Sequence, residues 1–262
     1  MLALAVLYAL AVWWSTTQAL LWLVRSAPKH ALNALALCLA AACGALAVAA
    51  ADDGGAHAAF VGFTAGIGLW AAFEITFLTG AILGVDVPSY SDRWWAKAWS
   101  AFQAIIWHEL ALIITLAVLL VATATSANPS AAAAFGALWV MRASAKLNLF
   151  LGVRNLCTEF LPEPVAHLGK HFRRRTMNAM FPFSVLFATL AAALLLRAGL
   201  APDTSSSQAI ASILTATLVG LGVLEHWLML TPLSALDLWS ARFMKASRVT
   251  FARPLGATRT SI

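Results

Sequence analysis

Seven ionisable side chains sit inside long apolar stretches of this 262-residue sequence: Glu74, His108, Glu109, Arg142, Lys146, Glu225 and His226. Such groups are costly in hydrocarbon and commonly pair with one another or mark a ligand or ion path. Asn148 and Gln18 add neutral polarity. Several chemistries suit these residue types. Glu–Arg and Glu–Lys pairs could lock a helical bundle. His108 or His226 could ligate a tetrapyrrole or hydrogen-bond a pigment or quinone, since a neutral imidazole binds such metals well. Glu74, His108, Glu109, Glu225 and His226 are the candidates for a carboxylate–histidine metal centre. Di-metal bundles favour Glu-x-x-His, which puts both groups on one helix face. Here His108–Glu109 and Glu225–His226 are adjacent, about 100° apart on a helix, so both members do not easily reach one metal. A proton or ion path is the remaining reading. No P-loop, dinucleotide fingerprint or serine-hydrolase elbow occurs.

The elements that must position these groups are membrane helices. Hydrophobic residues make up 61% of the chain and charged residues 11%. A soluble domain carries about 25% charged residues. This excludes an ordinary soluble enzyme, a disordered chain and a disulfide-stapled domain. Apolar runs cover roughly 2–24, 31–51, 57–84, 100–124, 129–152, 181–200 and 208–232, each long enough to cross a bilayer. Pro28, Asp52-Asp53-Gly54-Gly55, Pro88-Ser89, Asn128-Pro129 and Pro202-Asp203 mark the breaks. The pattern predicts an all-α, single-domain polytopic protein over 1–262 with seven transmembrane helices, a loop at 153–180 and a basic tail at 233–262. The first run has no basic residue before Arg25, so it reads as a retained span rather than a cleaved leader.

Seven spans place loops 1, 3 and 5 and the tail on one side. Of the 17 Lys and Arg, Arg25 and Lys29 lie in loop 1, Arg93 and Lys97 in loop 3. Loop 5 holds Arg154, Lys170, Arg173, Arg174 and Arg175, and the tail Arg242, Lys245, Arg248, Arg253 and Arg259. Only Arg197 falls on the other side, with Asp52, Asp53 and Asp203. The positive-inside rule then puts the N-terminus out and the C-terminus in the cytoplasm. Counted from the predicted span ends, Glu74, His108, Glu109 and Arg142 come ~12–15 Å deep and Glu225 and His226 ~9–10 Å. The spacing therefore predicts one polar pocket at a common height in the cytoplasmic half.

Outside the spans, Arg154, Asn155, Glu159, Lys170, His171, Arg173, Arg174 and Arg175 concentrate charge in the 153–180 loop. Such a cluster reads as a contact for lipid headgroups or for an acidic partner. Trp94, Trp95 and Trp99 before the fourth span suit a surface-lying amphipathic segment or a loop whose indoles pack on helix ends. Gly62 and Gly66 form a Gly-x-x-x-Gly that favours close helix packing. Cys38, Cys43 and Cys157 make no metal or disulfide pattern.

Several ordered strings carry a family resemblance. They are Phe73-Glu74-Ile75-Thr76-Phe77-Leu78-Thr79-Gly80, Trp107-His108-Glu109-Leu110, and Asn148-Leu149-Phe150-Leu151-Gly152-Val153-Arg154-Asn155. With them come Glu159-Phe160-Leu161-Pro162, Phe172-Arg173-Arg174-Arg175-Thr176-Met177-Asn178 and Leu221-Gly222-Val223-Leu224-Glu225-His226-Trp227. Over roughly 70–233 the sequence resembles the PuhE family, photosynthetic complex assembly proteins of purple phototrophic bacteria. The resemblance implies an inner-membrane assembly or regulatory factor acting near the reaction centre and light-harvesting complex 1, or on bacteriochlorophyll supply to them. It supplies no reaction and no catalytic residues. The partners it implies are reaction-centre or light-harvesting 1 subunits or other assembly factors, in a lipid bilayer and without nucleic acid. Bacteriochlorophyll or another tetrapyrrole is the cofactor it brings into view. The alternative is a membrane-embedded metal- or haem-dependent oxidoreductase acting on a pigment or quinone.

Overall fold

The computed structural model describes residues 1–86, 93–156, 158 and 161–231. Pro88-Ser89, Cys157, Glu159 and the basic tail lie outside the described residues. The described chain is all-helical: α1 Leu2–Ser26, α2 Lys29–Ala49, α3 Ala56–Leu78, α4 Trp94–Gln103, α5 Ile106–Ala122, α6 Ser130–Leu151, α7 Met180–Gly199 and α8 Ser206–Leu228, with a 3₁₀ segment Glu163–His171 before α7.

Local chemistry explains most of the boundaries. Pro28 precedes α2 in extended geometry, which its ring favours. Asp53 Oδ1 accepts the Gly55 N–H at 2.7 Å just before α3. Asn128 Oδ1 accepts from the Ser130 N–H at 3.1 Å and the Ser130 hydroxyl at 2.7 Å, which caps α6. Gly152, at φ +118°, ends that helix in backbone space that favours glycine. Asn178 Oδ1 accepts from Met180 and Phe181 N–H at the start of α7.

Among the described residues five helices are long and apolar enough to cross a membrane: α1, α2, α3, α7 and α8. The α4–α5 pair, bent by 66°, makes a sixth if it counts as one span. α6 has 22 residues but is more polar and is not among them. α3 is the central helix. In its most apolar stretch 72% of residues are buried, against 17% in α1 and in α7, whose outer faces are apolar and exposed. α6 packs on α3 and α8 along one flank and on α5 and α7 along the others.

The helices alternate between two ends. At one end Ser126 bonds Asp52, Asn128 bonds the Ala50 and Ala58 carbonyls, and Ser207 bonds the Ala127 carbonyl. At the other, Lys29 pairs with Glu163, Lys170 with Asp86, and the Asn155 N–H bonds the Met229 carbonyl. Asp52, Asp53, Arg197 and Asp203 belong to the first end, and all the described loop arginines and lysines except Arg197 to the second.

Two expected spans are corrected. The run at 100–124 is not continuous. Ile105 leaves helical geometry, and the Gly84 N–H bonds the Ala104 carbonyl where α4 turns into α5. The run at 57–84 ends as a helix at Leu78, because Gly80 (φ +79°) turns the chain back. Glu74 therefore lies four residues from its helix end, ~6 Å by helical rise, and Glu109 only three, ~5 Å. Glu74 and Glu109 are thus shallower than the predicted span ends implied, while Arg142, nine residues from Leu151, keeps its predicted depth.

Candidate functional site

α6 is the polar spine of the molecule. Its side chains Trp139, Arg142, Ser144, Lys146 and Asn148 point to different neighbours. The seven predicted groups consequently fall into three sets around one helix rather than into one pocket.

The first set joins α5 and α6. Lys146 Nζ donates to Glu109 Oε1 at 2.6 Å, and Trp139 Nε1 donates to Glu109 Oε2 at 3.1 Å. Trp139 and Lys146 are two helical turns apart and share a face, so one carboxylate bridges both. Lys146 Nζ also lies 5.3 Å over the Phe77 ring, a cation–π contact. Phe77 also meets His108, with ring centroids 4.6 Å apart. His108 is fully buried, and neither ring nitrogen has a hydrogen-bond partner among the described residues. A buried donor or acceptor left unsatisfied costs about 1–3 kcal/mol. His108 and Glu109 therefore turn to different partners, as adjacent helical positions must.

The second set lies between α3, α6 and α8. The Arg142 guanidinium sits 5.4 Å over the Trp70 ring and interacts electrostatically with Glu225 and then with Glu74. It closes no direct ion pair among the described residues. A cavity of about 20 Å³ lies here, lined by Trp13, Trp70, Met141, Arg142, Gly222 and Glu225 among others. That is room for one water and far too little for a tetrapyrrole. The Trp70 indole N–H, buried at 4% exposure, has no partner among the described residues.

The third set ties α6 to α7 and α8. His226 Nδ1 lies 2.7 Å from the Gly222 carbonyl, which can only accept, so Nδ1 carries a proton. In the neutral ring Nε2 then accepts from the Ser144 hydroxyl at 2.9 Å. Four residues on, Asn148 Nδ2 donates to the Ser184 hydroxyl at 2.9 Å and to the Ser144 carbonyl at 3.0 Å. Asn178 Nδ2 donates to Asn148 Oδ1 at 3.1 Å and to the Gly152 carbonyl at 2.9 Å. A hydrogen-bonded chain thus runs from the loop side into α8. Among the described residues no three His, Cys, Asp or Glu side chains converge as a metal site would require.

The loop between α6 and α7 is folded onto the bundle. Val153 exchanges backbone hydrogen bonds with Arg173 and Arg175. Lys170 holds Asp86 through both carboxylate oxygens, at 2.6 and 2.5 Å, and so keeps that carboxyl below its ordinary value. Burial and the neighbouring Lys170 charge push the His171 imidazole down. Arg173 lies 5.1 Å over Phe150, while Arg154, Arg174 and Arg175 are exposed.

The sequence matches, over residues 1–250, a family described as "Protein of unknown function (DUF3623)". This chain belongs to that family. It is 34% identical over 249 residues to a Rhodobacter capsulatus protein described as an uncharacterized 30.4 kDa protein in the puhA 5′ region. The alignment covers 90% of this chain and 89% of that protein. This agrees with the PuhE-like family read from the sequence. No solved structure matches.

In this DUF3623 protein, several residues that complete the site carried little signal in the sequence. Trp139 and Trp70 looked like ordinary apolar filling, and Ser144 and Ser184 are common in membrane helices. Asn178 had one local cue, its place just before an apolar run, where an asparagine caps a helix. The seven-residue spacing of Trp139 and Lys146 could have shown their shared face, but nothing in the sequence placed Glu109 opposite.

Proposed function

We propose that this protein is a multi-pass inner-membrane factor that assembles or regulates the bacterial photosynthetic apparatus. The observation that carries the reading is the full-length relationship to a protein named for its place in the puhA 5′ region. The physical picture that accompanies it is a seven-crossing bundle with its N-terminus outside and its C-terminus in the cytoplasm. α6 is the seventh crossing. Its polar composition is compatible with hydrocarbon because α3, α5, α7 and α8 surround it, and its charges face those helices rather than lipid. The basic end is the cytoplasmic end, and the 154–175 loop is the contact for a partner subunit or for headgroups.

In this picture the protein acts by holding and presenting. Glu74, His108, Glu109, Arg142, Lys146, Glu225 and His226 fix the packing of four helices, and the Asn178–Asn148–Ser144–His226 chain connects that packing to the loop. Deletion of the gene in a phototrophic host tests the role. The near-infrared absorption of reaction centre and light-harvesting complex 1 in isolated membranes should change, and the wild-type gene should restore it. Unchanged spectra and unchanged phototrophic growth would remove the reading. Reporter fusions at the C-terminus test the topology separately: a cytoplasmic fluorescent protein should light up and an exported phosphatase should stay inactive.

One observation favours a second reading, the membrane-embedded haem- or metal-dependent oxidoreductase. His108 offers two unpartnered nitrogens in an apolar setting, which suits an imidazole ligand. Metal analysis and an absorption spectrum of protein purified in mild detergent decide it. A stoichiometric metal or tetrapyrrole lost on His108→Ala would support that reading against the non-enzymatic one.

A further inference from the structure

α4 is short, bent away from α5 by 66°, and carries an unusual row of rings. Trp94, Trp95, Trp99 and Phe102 are 69%, 54%, 57% and 43% exposed. On a helical wheel of about 100° per residue, Trp99 and Phe102 fall within about 40° of Trp95, and Trp94 flanks them. Ser100 and Ala104 are buried on the opposite side, where Ala104 joins a small core with Phe77, Val165 and Leu168. Lys97, half-buried, lies at about 200° from Trp95, on the side of Ser100 and Ala104 that packs on the protein. Arg93 is exposed at the start of the helix, with its guanidinium 5.7 Å from the Trp95 ring.

The angle of α4 is fixed rather than loose. The Gly84 N–H bonds the Ala104 carbonyl at 2.9 Å, and a Cβ on Gly84 would come within 1.6 Å of the Gln103 carbonyl oxygen. The segment after α3 thus presses against the α4–α5 junction. If α5 runs across the bilayer, a helix held at 66° to it lies closer to the membrane plane than to the normal. The same end of the molecule carries the basic loop side chains.

We propose that α4 is an interfacial anchor that binds an anionic lipid surface: its ring face sits among the headgroups and upper acyl chains, and the exposed Arg93 beside Trp95 engages the acidic headgroups. Two features support this occupant over a protein partner. Indoles favour the headgroup zone, and the exposed Arg93 guanidinium stands beside the Trp95 ring, where one acidic headgroup would meet both. The inference rests on α5 being a crossing.

The test uses the full chain in phosphatidylcholine nanodiscs. Quenchers are phospholipids brominated near the headgroup or near the chain ends, and aqueous iodide. The difference in emission between wild type and a Trp94→Phe/Trp95→Phe/Trp99→Phe variant isolates α4. These rings are exposed, so the variant should fold, and its thermal unfolding checks this. The α4 emission should be quenched most by headgroup-proximal bromine. Supplying that bromine on phosphatidylglycerol should increase the quenching, and Arg93→Gln should weaken the preference, by about fivefold at most. Strong iodide quenching would put α4 in water and overturn the proposal. Chain-end quenching would make α4 part of a span, and protection from all quenchers would mean a protein covers it; both overturn the proposal. An unchanged phosphatidylglycerol preference in Arg93→Gln would overturn the charge assignment. Should the remaining tryptophans also escape both brominated lipids, the failure would lie in the membrane reading itself.

Discussion

The two ends of α6 are held by opposite means. Near Ser130 the contact is steric. Gly62 and Gly66 of α3 let the α6 backbone come so close that a Cβ on Gly66 would stand 2.5 Å from the Ala131 carbonyl oxygen. Asn128 closes that end with four hydrogen bonds to neighbouring backbone and to Ser130. Toward Leu151 the contact is electrostatic and looser, with Glu109–Lys146 closed directly while Arg142 stands off from Glu74 and Glu225 beside a cavity. In a membrane, where apolar contact between helices gains little over contact with lipid, small-residue packing and polar pairs are the two available means of association. The tight end has no room to change.

The largest expected effect breaks the polar end. Lys146→Met strands the Glu109 carboxylate in a mostly buried site. Removal of one member of a buried pair costs about 3–5 kcal/mol. Because the Lys146 side chain keeps 25% exposure, the lower part of that range is expected in thermal unfolding in detergent. Adding Glu109→Leu should recover part of the loss, since an apolar pair of similar size replaces an ion pair at little cost but leaves the Trp139 indole N–H without its acceptor. A double variant no better than the single would show that the Trp139–Glu109 bond outweighs the relief of the stranded charge.

The next effect breaks the steric end. Gly66→Ala should cost about 1–3 kcal/mol, because the clash is with backbone that cannot step aside. Gly220→Ala is the control. Nothing lies within 4 Å of its added methyl, so helix propensity alone should make it neutral or stabilising by up to about 1 kcal/mol. Equal losses at both glycines would remove the distinction between the ends.

Smaller effects sharpen how the loop is tied to the polar end. Asn178→Ala removes the cap of α7 and should cost about 1–2 kcal/mol. It should also raise hydrogen exchange in Val153 and Arg175, whose backbone pairing the asparagine supports. Smallest is Lys170→Gln. The Asp86–Lys170 pair is partly exposed, and such pairs contribute at most about 1 kcal/mol. Lys170 holds the Asp86 carboxyl below the ordinary 3.8, so the clamp is complete above that value and is lost as the pH falls through the lowered folded-state value. Protease cleavage of the 161–171 segment should therefore rise only in strong acid in the wild type. In Lys170→Gln it should be raised already at neutral pH.

How much of this was legible beforehand follows from what each feature depends on. The helices at 2–24 and 31–51 were readable because they depend on unbroken apolar runs and a proline between them. Gly62 and Gly66 were readable as a packing face because spacing alone defines it. The break at Ala104–Ile105 was not readable. It arises from Gly84, some twenty residues earlier in the chain, pressing on the junction. Glu74, Glu109 and Arg142 could be named as costly residues, but their grouping into three sets depends on the rotation of α6 about its axis.

The sequence by itself determined that this chain is a bundle of membrane-type helices, that seven ionisable groups lie within its apolar stretches, and that basic residues gather at one end. These follow from composition and local spacing, which act through each residue's transfer free energy and each helix's own geometry. Only the tertiary structure decided that Lys146 answers Glu109, that Ser144 answers His226, that Arg142 faces two carboxylates without closing on either, and that neither His108 nitrogen finds a partner among the described residues. Those pairings depend on which faces of α3, α5, α6 and α8 meet. That choice is made by side-chain packing across helices far apart in the chain.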